Sequence, residues 1–343
     1  MYHGNKNISE NSFLVTGGAG FIGSHLVEYL LKHGAKKVRV LDNFSTGLRN
    51  NLAGFSTYPA FELVEGDIRD SDTCKYAVAD IQYVFHQAAL GSVPRSVADP
   101  LTTNEVNVNG FLNVLIAARD NQVKRIIYAA SSSTYGDSVE LPKVEERIGR
   151  PLSPYAVTKY VNELYADVFA KTYGMELIGL RYFNVFGPRQ NPEGAYAAVI
   201  PRFVESLLNH RTPVINGDGE YSRDFTYIEN VIQMNIKAAF ADSSAVINEI
   251  YNVAFGQQTS LNKLLSYLKK CLSDHDPSIS EILVQYGPTR AGDIPHSLAS
   301  IQKARQLLDY DPQYDIEEGL IETVKWYTKE RRTTIEANLL KQA

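Results

Sequence analysis

The chain has 343 residues, a length that fits two domains or one large domain with an appended lobe. Hydrophobic residues make up 44% and charged residues 21%, as in ordinary globular proteins, which excludes the disordered, collagenous and coiled-coil classes. A net charge of −5 without a basic run argues against a nucleic-acid partner, and two cysteines are too few for a disulfide scaffold or a cysteine zinc site, so we expect no metal.

The hydropathy pattern bears on where the protein resides. Residues 1–12 are polar and lack the apolar core of a signal peptide. No apolar run reaches the length that spans a bilayer. We therefore expect a soluble, cytoplasmic protein with no integral membrane segment, although peripheral attachment to a membrane stays open. Cys74 and Cys271 are then reduced thiols without a special role.

Short apolar runs alternate with stretches of helical spacing in the first half of the chain. The runs predict strands over residues 13–16, 38–41, 61–64, 83–86, 125–130 and 177–181. Apolar positions three and four apart predict helices over residues 21–31, 102–121 and 154–173. Strands that alternate with helices indicate an α/β fold, a Rossmann-type doubly wound parallel sheet with helices on both faces.

The composition and hydropathy pattern of the sequence change after Asn184. Glycine, proline and short mixed elements follow, with a strong turn signal over residues 216–219. We interpret residues 1–184 as the sheet domain. Residues 185–343 are then mainly a smaller mixed α/β lobe, from which later strands return to the sheet.

A glycine-rich turn joins the first predicted strand to the first predicted helix. Gly18, Gly20 and Gly23 match the pattern G-x-G-x-x-G, and Gly17 fits a variant of the same spacing. Glycines let the backbone approach a pyrophosphate, and the N-terminus of the next helix offers N–H groups to that anion. A glycine triplet alone can be an ordinary turn, but the strand before it and the helix after it favour a dinucleotide site.

Asp42 ends the second predicted strand, 19 residues after Gly23. An acidic residue there would accept hydrogen bonds from the adenosine ribose and repel a 2′-phosphate, so NAD is expected rather than NADP. A plain turn residue is the alternative. Further candidates follow the third and fourth strands, where ordinary loop roles also stay open. They are Asp67 and Ile68 for the adenine, and Gln87, Ala88 and Ala89 for the phosphate and nicotinamide side.

The segment 153–159 combines a serine cap, a proline in the first turn and a Tyr–Lys pair. Tyr155 and Lys159 are four residues apart and so share one helical face. A nearby ammonium and the positive ring of an oxidised nicotinamide would favour the phenolate of Tyr155, which prepares it for proton transfer. A surface aromatic–cation pair is the alternative. Ser131, in a serine-rich loop after the fifth strand, could share a hydrogen bond with Tyr155 or have no catalytic role.

Three motifs together resemble the extended short-chain dehydrogenase/reductase superfamily. They are the glycine turn, the loop from Ser131 to Tyr135-Gly136, and Tyr155-x-x-x-Lys159. Arg-Tyr-Phe-Asn at 181–184 and Arg-x-Gly-Asp at 290–293 narrow the resemblance to nucleotide-sugar enzymes. The stretches 87–96 and 194–201 are similar to the bacterial UDP-N-acetylglucosamine/UDP-N-acetylgalactosamine 4-epimerases of surface-polysaccharide synthesis. The resemblance extends from about Phe13 to Trp326.

The resemblance implies a redox-neutral isomerase that binds NAD tightly. Tyr155 removes the proton of the sugar 4-hydroxyl as the C4 hydride passes to NAD⁺; the 4-keto sugar then turns over, and the hydride returns to its other face. Lys159 holds the nicotinamide ribose and tunes Tyr155. Ser131, four residues before Tyr135, is the catalytic serine. The implied substrates are UDP-N-acetylglucosamine and UDP-N-acetylgalactosamine, while UDP-glucose with UDP-galactose, or a UDP-uronate, stays open.

The resemblance also assigns ligand contacts by motif position. Besides the residues named above, cofactor contacts are implied for Phe21, Ile22, Asn43, Ser45, Gly47 and Val185. Substrate contacts are implied for Gly91, Ser131, Ser132, Ser133, Tyr155, Asn184, Gln190, Val199, Asn216, Arg223, Arg290, Asp293 and Ser297. The two arginines suit a diphosphate because a guanidinium binds it in a forked geometry, although a solvated surface charge is the usual fate of an arginine.

Ser297 bears on the size of the substrate. It lies four residues after Asp293, where bacterial galactose epimerases of the family commonly carry a tyrosine. A small residue leaves room for a 2-acetamido group, so the resemblance implies that N-acetylated sugars are accepted and preferred. Departures from the family pattern that could alter this preference are Pro188, Gln258 and Ser300.

Rival functions exist within the same fold. The 4,6-dehydratases need an Asp–Glu pair, and related decarboxylases a glutamate, where this chain has Ser132-Ser133, so both are disfavoured. A protein that senses NAD without catalysis is a different class, but such proteins usually lose the tyrosine or lysine that this chain keeps. By analogy, the helices over 102–121 and 154–173 would form a homodimer, although either apolar face could pack within one chain.

Overall fold

The computed structural model describes residues 2–4, 6–192, 197–242, 244–289 and 294–342, without the side chains of 332–342. The strands are β1 Ser12–Thr16, β2 Lys37–Asp42, β3 Phe61–Glu65, β4 Tyr83–His86, β5 Arg125–Ser131, β6 Leu177–Tyr182, β7 Val185–Phe186, β8 Val214–Asn216, β9 Ser222–Arg223, β10 Thr226–Tyr227, β11 Ile250–Val253, β12 Thr259–Ser260 and β13 Gln285–Gly287.

Helices connect these strands. They are α1 Phe21–Lys32, α2 Ser71–Val78, α3 Val93–Ala98, α4 Pro100–Asn104, α5 Gly110–Asp120, α6 Pro154–Tyr173, α7 Val199–Leu208, α8 Ile228–Ala239, α9 Leu261–Ser273, α10 Gln302–Leu308 and α11 Ile316–Gln342. Single 3₁₀ turns cover Ile8–Glu10, Arg49–Asn51, Ala53–Phe55, Ser132–Tyr135 and Pro277–Glu281.

Seven parallel strands form the central sheet in the order β3-β2-β1-β4-β5-β6-β11. The first six are the six predicted strands, and β11 returns from the C-terminal half of the chain. The chain runs in opposite directions across the sheet on either side of β1 and β4, which opens a crevice at the carboxyl ends of these two strands. The predicted Rossmann-type α/β fold is confirmed.

Each face of the sheet packs against its own hydrophobic cluster, because alternate residues of a strand point to opposite faces. Phe13 and Val15 of β1 pack in the larger cluster with α1 and α8, whereas Leu14 packs in the other with α2 and α5. Leu264 of α9 and Leu320 of α11 also belong to the larger cluster. The C-terminal half of the chain therefore shares a core with the sheet, and a domain boundary at residue 184 stays a prediction.

The predicted helix over 102–121 is interrupted. It begins as α4, passes through a π-helical turn at Glu105–Asn109 and continues as α5. The amide of Gly110 accordingly donates to the carbonyl of Glu105, five residues earlier. Such a turn inserts one extra residue into the helix and re-aims its side chains, which is why π-turns concentrate at functional sites.

The C-terminal half adds small sheets rather than one large one. β7 pairs with β10 and β8 with β13, both in parallel, and β9 pairs with β12 in antiparallel. Among the helices described here, none is both long and apolar enough to cross a bilayer.

Candidate active site

A cleft of about 610 Å³ opens at the carboxyl ends of the strands. Its walls are loops that follow β1, β2, β3, β4, β5 and β6, together with the start of α6. Predicted cofactor residues in the wall are Gly17, Gly20, Phe21, Ile22, Gly23, Asp42, Asn43, Ser45, Gly47, Asp67, Ile68, Gln87, Ala88, Ala89, Tyr155, Lys159 and Val185. Distant segments of the chain thus meet at one site.

The glycine turn leaves no room for side chains. Gly17 has a positive φ of 68°, and a Cβ there would lie 2.7 Å from the amide nitrogen of Ala88. A Cβ on Gly23 would lie 2.2 Å from the carbonyl oxygen of Gly17. Gly20 caps α1 without a side-chain hydrogen bond, so the first N–H groups of the helix face the cleft uncapped by any side chain. This bare, positive helix end suits a dinucleotide pyrophosphate.

Asp42 fits both of its predicted roles. One carboxylate oxygen accepts from the amide of Ala19 at 2.9 Å, and the other accepts from the amide of Phe44 at 2.8 Å. Burial raises the pKa of Asp42, and these two bonds oppose the rise. Each oxygen keeps acceptor capacity beyond these bonds, because a carboxylate offers about four acceptor positions, and the residue lines the cleft. The residue can therefore hold its own turn and still accept from ribose hydroxyls.

The side of the cleft that is predicted to hold the adenine carries an exposed polar network. Asn43 donates to Asp67 at 2.8 Å, and Arg69 pairs with the same carboxylate at 2.8 Å. The hydrogen bonds from Arg69 lower the pKa of Asp67. Asp67 is thus held as a charged wall of the predicted adenine pocket, beside Ile68.

Gln87 connects the cleft to buried polar groups behind it. Its amide donates to the hydroxyl of Tyr182 at 3.1 Å, and Asn235 of α8 donates to the same hydroxyl at 3.0 Å. The preceding His86 bonds the hydroxyl of Thr16 at 2.9 Å. Burial lowers the pKa of His86 to about 3, so this ring stays neutral in the fold. Sequence reasoning missed Tyr182, although its place at the end of β6 is a usable signal.

Tyr155, Lys159 and Ser131 meet at the centre of the cleft. Ser153 caps α6 by accepting from the amide of Ala156 at 3.1 Å, which orients the first helical turn. Lys159 is 3% exposed and donates from Nζ to the carbonyl of Ala129 in β5 at 2.8 Å. The alternative of a surface Tyr–Lys pair is wrong, because the lysine is buried against the sheet.

The hydroxyl of Ser131 is oriented by its neighbour. Ser133 donates to it from its own hydroxyl at 2.9 Å and from its amide at 3.2 Å. Because the oxygen of Ser131 accepts these bonds, its hydrogen is left to bond Tyr155. Burial raises the pKa of Tyr155, and the Ser131 hydrogen bond lowers it only in part.

The expectation that a lysine ammonium and an oxidised nicotinamide together favour the phenolate of Tyr155 stays a prediction, because the protein alone does not lower the pKa of this tyrosine. In the protein alone the pKa of Tyr155 lies above its ordinary value, because loss of solvent outweighs the hydrogen bond. Burial also lowers the pKa of Lys159 to about 8, which weakens the lysine as a permanent cation. A further positive charge is needed to favour the phenolate, and an oxidised nicotinamide carries one.

Asn107 supports the wall of the cleft without lining it, and sequence reasoning missed it. It lies within the π-turn, and its amide bonds the backbone of Leu90 in both directions, accepting at 2.8 Å and donating at 3.2 Å. It also donates to Thr158 of α6 at 3.1 Å. Asn107 thus ties the loop after β4 to the helix that carries Tyr155. No hydrophobic pattern could reveal this, since the π-turn is what aims the side chain.

The predicted substrate residues fall into two groups. Lining the cleft are Gly91, Ser131, Tyr155, Asn184 and Gln190. Outside its wall are Ser132, Ser133, Val199, Asn216, Arg223 and Ser297. Arg290 and Asp293 lie outside the described residues. The roles assigned to all of these residues stay predictions.

Part of the second group lies together around Asp224. The amide of Ser297 donates to the carbonyl of Ser222 at 3.1 Å, next to Arg223, whose guanidinium donates to the same carbonyl at 2.9 Å. The buried Asp224 accepts from the amides of Gly256 at 3.1 Å and Ala299 at 3.2 Å. Its own carbonyl accepts from Asn184 at 3.0 Å, which connects this group to the cleft.

The match to known proteins extends over most of the chain. Residues 13–254 match the model of the NAD-dependent epimerase/dehydratase family. The UDP-glucose 4-epimerase of Mycolicibacterium smegmatis is 35% identical over 92% of this chain and 97% of its own length. Both findings agree with a Tyr–Lys pair placed beside a dinucleotide turn.

Two solved structures are similar over almost their whole length. The UDP-N-acetylglucosamine 4-epimerase of Methanobrevibacter ruminantium M1, in complex with UDP-N-acetylmuramic acid, is 41% identical with a TM-score of 0.87, over 93% of this chain and 99% of that one. The UDP-glucose 4-epimerase of Thermotoga maritima, with UDP-glucose, is 36% identical with a TM-score of 0.85, over the same shares of 93% and 99%.

Proposed function

The chain belongs to the NAD-dependent epimerase/dehydratase family, and on that premise we propose that it inverts C4 of UDP-hexoses. The predicted resemblance and the predicted NAD cofactor are thereby confirmed. The observation that carries the proposal is that Tyr155 lines one cleft with the buried Lys159 and Ser131, beside a glycine turn that fits a pyrophosphate. Similar proteins named UDP-sugar 4-epimerases support it.

Different residues of the cleft bind the cofactor, transfer the proton and supply positive charge. Bound NAD supplies the reversible acceptance of a hydride. Gly17, Gly20, Gly23 and Asp42 would hold its phosphates and adenosine ribose. Tyr155 removes the proton of the sugar 4-hydroxyl and later returns it, with Ser131 donating a hydrogen bond to the phenolate. Lys159, fixed on the carbonyl of Ala129, holds positive charge beside that phenolate.

Serines after Ser131 favour epimerisation over dehydration. Loss of water from C5 and C6 needs an acid and a base beyond C4. Ser132 and Ser133 stand after Ser131, and the hydroxyl of Ser133 is engaged with that of Ser131. Neither residue offers a carboxylate, so proton transfer stays confined to the 4-hydroxyl.

For the substrate, we propose UDP-N-acetylglucosamine and UDP-N-acetylgalactosamine. Ser297 is small, and it lies next to Arg223 through the backbone bond to Ser222. A serine there leaves space that a tyrosine would fill, which favours a 2-acetamido group. The 41% identical relative named for UDP-N-acetylglucosamine supports this substrate. UDP-glucose with UDP-galactose is the second candidate, favoured by the relative that was solved with UDP-glucose.

A product assay tests the proposal. The protein, loaded with NAD and given UDP-N-acetylglucosamine without a reductant, should form UDP-N-acetylgalactosamine. Formation of a 4-keto-6-deoxy sugar would instead identify a dehydratase. If the protein binds NAD but forms no product from any UDP-sugar or UDP-uronate, the alternative of a protein that senses NAD without catalysis is favoured.

Substitution of Ser297 tests the preference for N-acetylated sugars. Ser297→Tyr should reduce turnover of UDP-N-acetylglucosamine more than that of UDP-glucose, because only the former has a group at C2 that needs the space. Ser297→Ala, which stays small, should keep the ratio of the two rates. Equal losses on both sugars in Ser297→Tyr would contradict the assignment.

We also propose a soluble homodimer in the cytoplasm. The predicted helix pair leaves an apolar face uncovered: Val157, Leu164 and Val168 of α6 are about half exposed, and Leu101 of the adjacent α4 is 77% exposed. A second copy would bury this face. Leu164→Glu should convert a dimer to a monomer in light scattering, whereas Leu283→Glu, at an exposed leucine of the C-terminal half, should not. A monomeric wild-type protein would refute the dimer.

A further inference from the structure

One buried ion pair joins α6, the helix that carries Tyr155 and Lys159, to β6 of the sheet. Arg181 of β6 donates from Nε and Nη2 to the two carboxylate oxygens of Glu163 in α6, each at 2.8 Å. Both side chains are only 3% exposed. A third donor, Nη1, reaches the carbonyl of Glu145 at 2.9 Å. Such a forked, fully hydrogen-bonded geometry is what a buried charge pair requires.

The chain places this pair under the catalytic residues. Glu163 follows Lys159 by four residues and Tyr155 by eight, so all three lie along one side of α6. Arg181 is paired across the sheet with Ala130, the residue between Ala129, which accepts from Lys159, and Ser131. The ion pair therefore touches the helix and the strand that hold the catalytic groups.

We propose that Glu163, held in place by Arg181, is a positioning residue whose negative charge keeps the ammonium of Lys159 protonated beside Tyr155. No residue of the pair lines the cofactor cleft, so Glu163 acts through Lys159. The role in turnover rests on the proposed function, but the charge of Lys159 can be measured without it.

The surroundings of Lys159 leave Glu163 as its main counter-charge. The titratable groups that face Lys159 or the ion pair are Tyr155, Glu163, His86, Tyr128, Tyr135, Arg181 and Glu145. His86 stays neutral, since burial and the charge of Lys159 hold its pKa at about 3. Burial also raises the pKa of Tyr128.

The direction of the effect follows from these charges. Burial lowers the pKa of Lys159 to about 8, and Glu163 acts against that fall. Without the carboxylate, the pKa of Lys159 drops further, and the stranded guanidinium of Arg181 lowers it again by repulsion. The lysine would then be largely neutral near pH 8, and a phenolate at Tyr155 would lack the positive charge of Lys159.

The direct test is an NMR titration of Lys159 in protein labelled with ¹³C at lysine Cε. The signal of Lys159 is the one that disappears in the variant Lys159→Met. Glu163→Gln should lower the pKa of Lys159 by roughly one unit, a tenfold loss of protonated lysine above that pKa. The double variant Glu163→Gln/Arg181→Gln removes both charges and should show a smaller fall. The proposal is overturned if the pKa of Lys159 is unchanged in a folded Glu163→Gln variant. If that variant does not fold, an unchanged pKa of Lys159 in the double variant overturns it.

Glu176→Gln is a matched control. Glu176 pairs with the buried Arg125 at the opposite end of β5, at 2.8 Å from Nε. The control also strands a buried arginine but lies far from Lys159, so it should destabilise the fold without moving the pKa of Lys159. A shift as large as that of Glu163→Gln would show a general effect of loosened packing and would overturn the proposal.

The pH profile of turnover gives a second readout. In Glu163→Gln, kcat for the UDP-sugar should decline at a pH roughly one unit lower than in the wild type, with KM little changed. An unshifted profile contradicts the role in turnover. If the wild-type protein turns over no UDP-sugar, the proposed function fails, whereas the NMR titration still decides the role of Glu163.

Discussion

The two ends of the cleft are built in different ways. The cofactor end is made by loops after β1, β2, β3 and β4, and it works through bare backbone: Gly17 and Gly23 lie where any Cβ would collide with a neighbouring backbone atom. The end proposed for the sugar is made by side chains from distant segments, which a single buried group, Asp224, ties together. We therefore expect that a Cβ added to a glycine impairs cofactor binding, and that removal of a side chain impairs sugar binding.

The largest effect is expected where the two ends meet. Tyr155→Phe deletes the hydroxyl that moves the proton, so turnover should fall by about 10²–10⁴-fold while bound NAD is retained. Tyr160→Phe, a tyrosine on the same helix outside the cleft, should keep wild-type turnover. Steady-state rates and the NAD content of the purified proteins measure both. Wild-type turnover in Tyr155→Phe would show that the base is misassigned.

A methyl group added in the glycine turn should weaken the binding of NAD. Gly17→Ala forces an L-residue into a positive φ and places Cβ 2.7 Å from the amide of Ala88, a distortion of about 2–5 kcal/mol. Retained NAD should fall at least tenfold, as measured by its absorbance after denaturation. Gly54→Ala, where a Cβ meets no atom within 4 Å, is the control. The same NAD content in both variants would contradict the backbone argument.

Removal of the Asp224 carboxylate should weaken the binding of the UDP-sugar. Asp224→Ala leaves buried amides of Phe255, Gly256 and Ala299 without their acceptor, which should cost about 2–3 kcal/mol in urea unfolding. The carboxylate fixes the backbone of residue 224, whose carbonyl accepts from Asn184, and none of its described bonds reaches the glycine turn. The KM for the UDP-sugar should therefore rise by a larger factor than the content of bound NAD falls. Asp218→Ala, an exposed turn residue, should change neither. Equal effects on NAD and sugar would remove the distinction between the two ends.

The smallest effect concerns acid stability at the cofactor end. The pKa of His86 is about 3 in the fold and near 6.5 in the unfolded chain, so between these values the unfolded state binds more protons. Stability from this group is complete above pH 6.5 and falls as the pH drops, by about 2 kcal/mol from pH 7 to pH 5. His86→Gln should lose less stability than the wild type over that range in urea unfolding. An equal loss would exclude His86 as the cause.

Much of the cofactor end could be predicted from the sequence because it is local. The strand, glycine turn and helix lie within 21 consecutive residues, 12–32, and Asp42 ends the next strand. Spacing alone then fixes which groups share an edge, because the carboxyl ends of parallel strands meet there. The Tyr–Lys pair was readable for the same reason, since two residues four apart share a helix face.

The remainder depends on contacts between distant residues. Asn107 reaches Leu90 only because of a π-turn, and Arg181 finds Glu163 only because β6 lies beside β5 under α6. The pKa values of Tyr155 and Lys159 depend on burial, which residue spacing does not report.

The sequence by itself determined the class of fold, the NAD cofactor, the family and the identity of the Tyr–Lys pair. Short repeats of hydrophobicity and motif spacing indicate the fold, the cofactor and the pair, and the resemblance of the motifs implied the family. Tertiary structure alone decided how the loops after β4, β5 and β6 are held and which charges reach the lysine. Electrostatic interactions act through space and strengthen as solvent is excluded, so they become defined only when distant segments pack together.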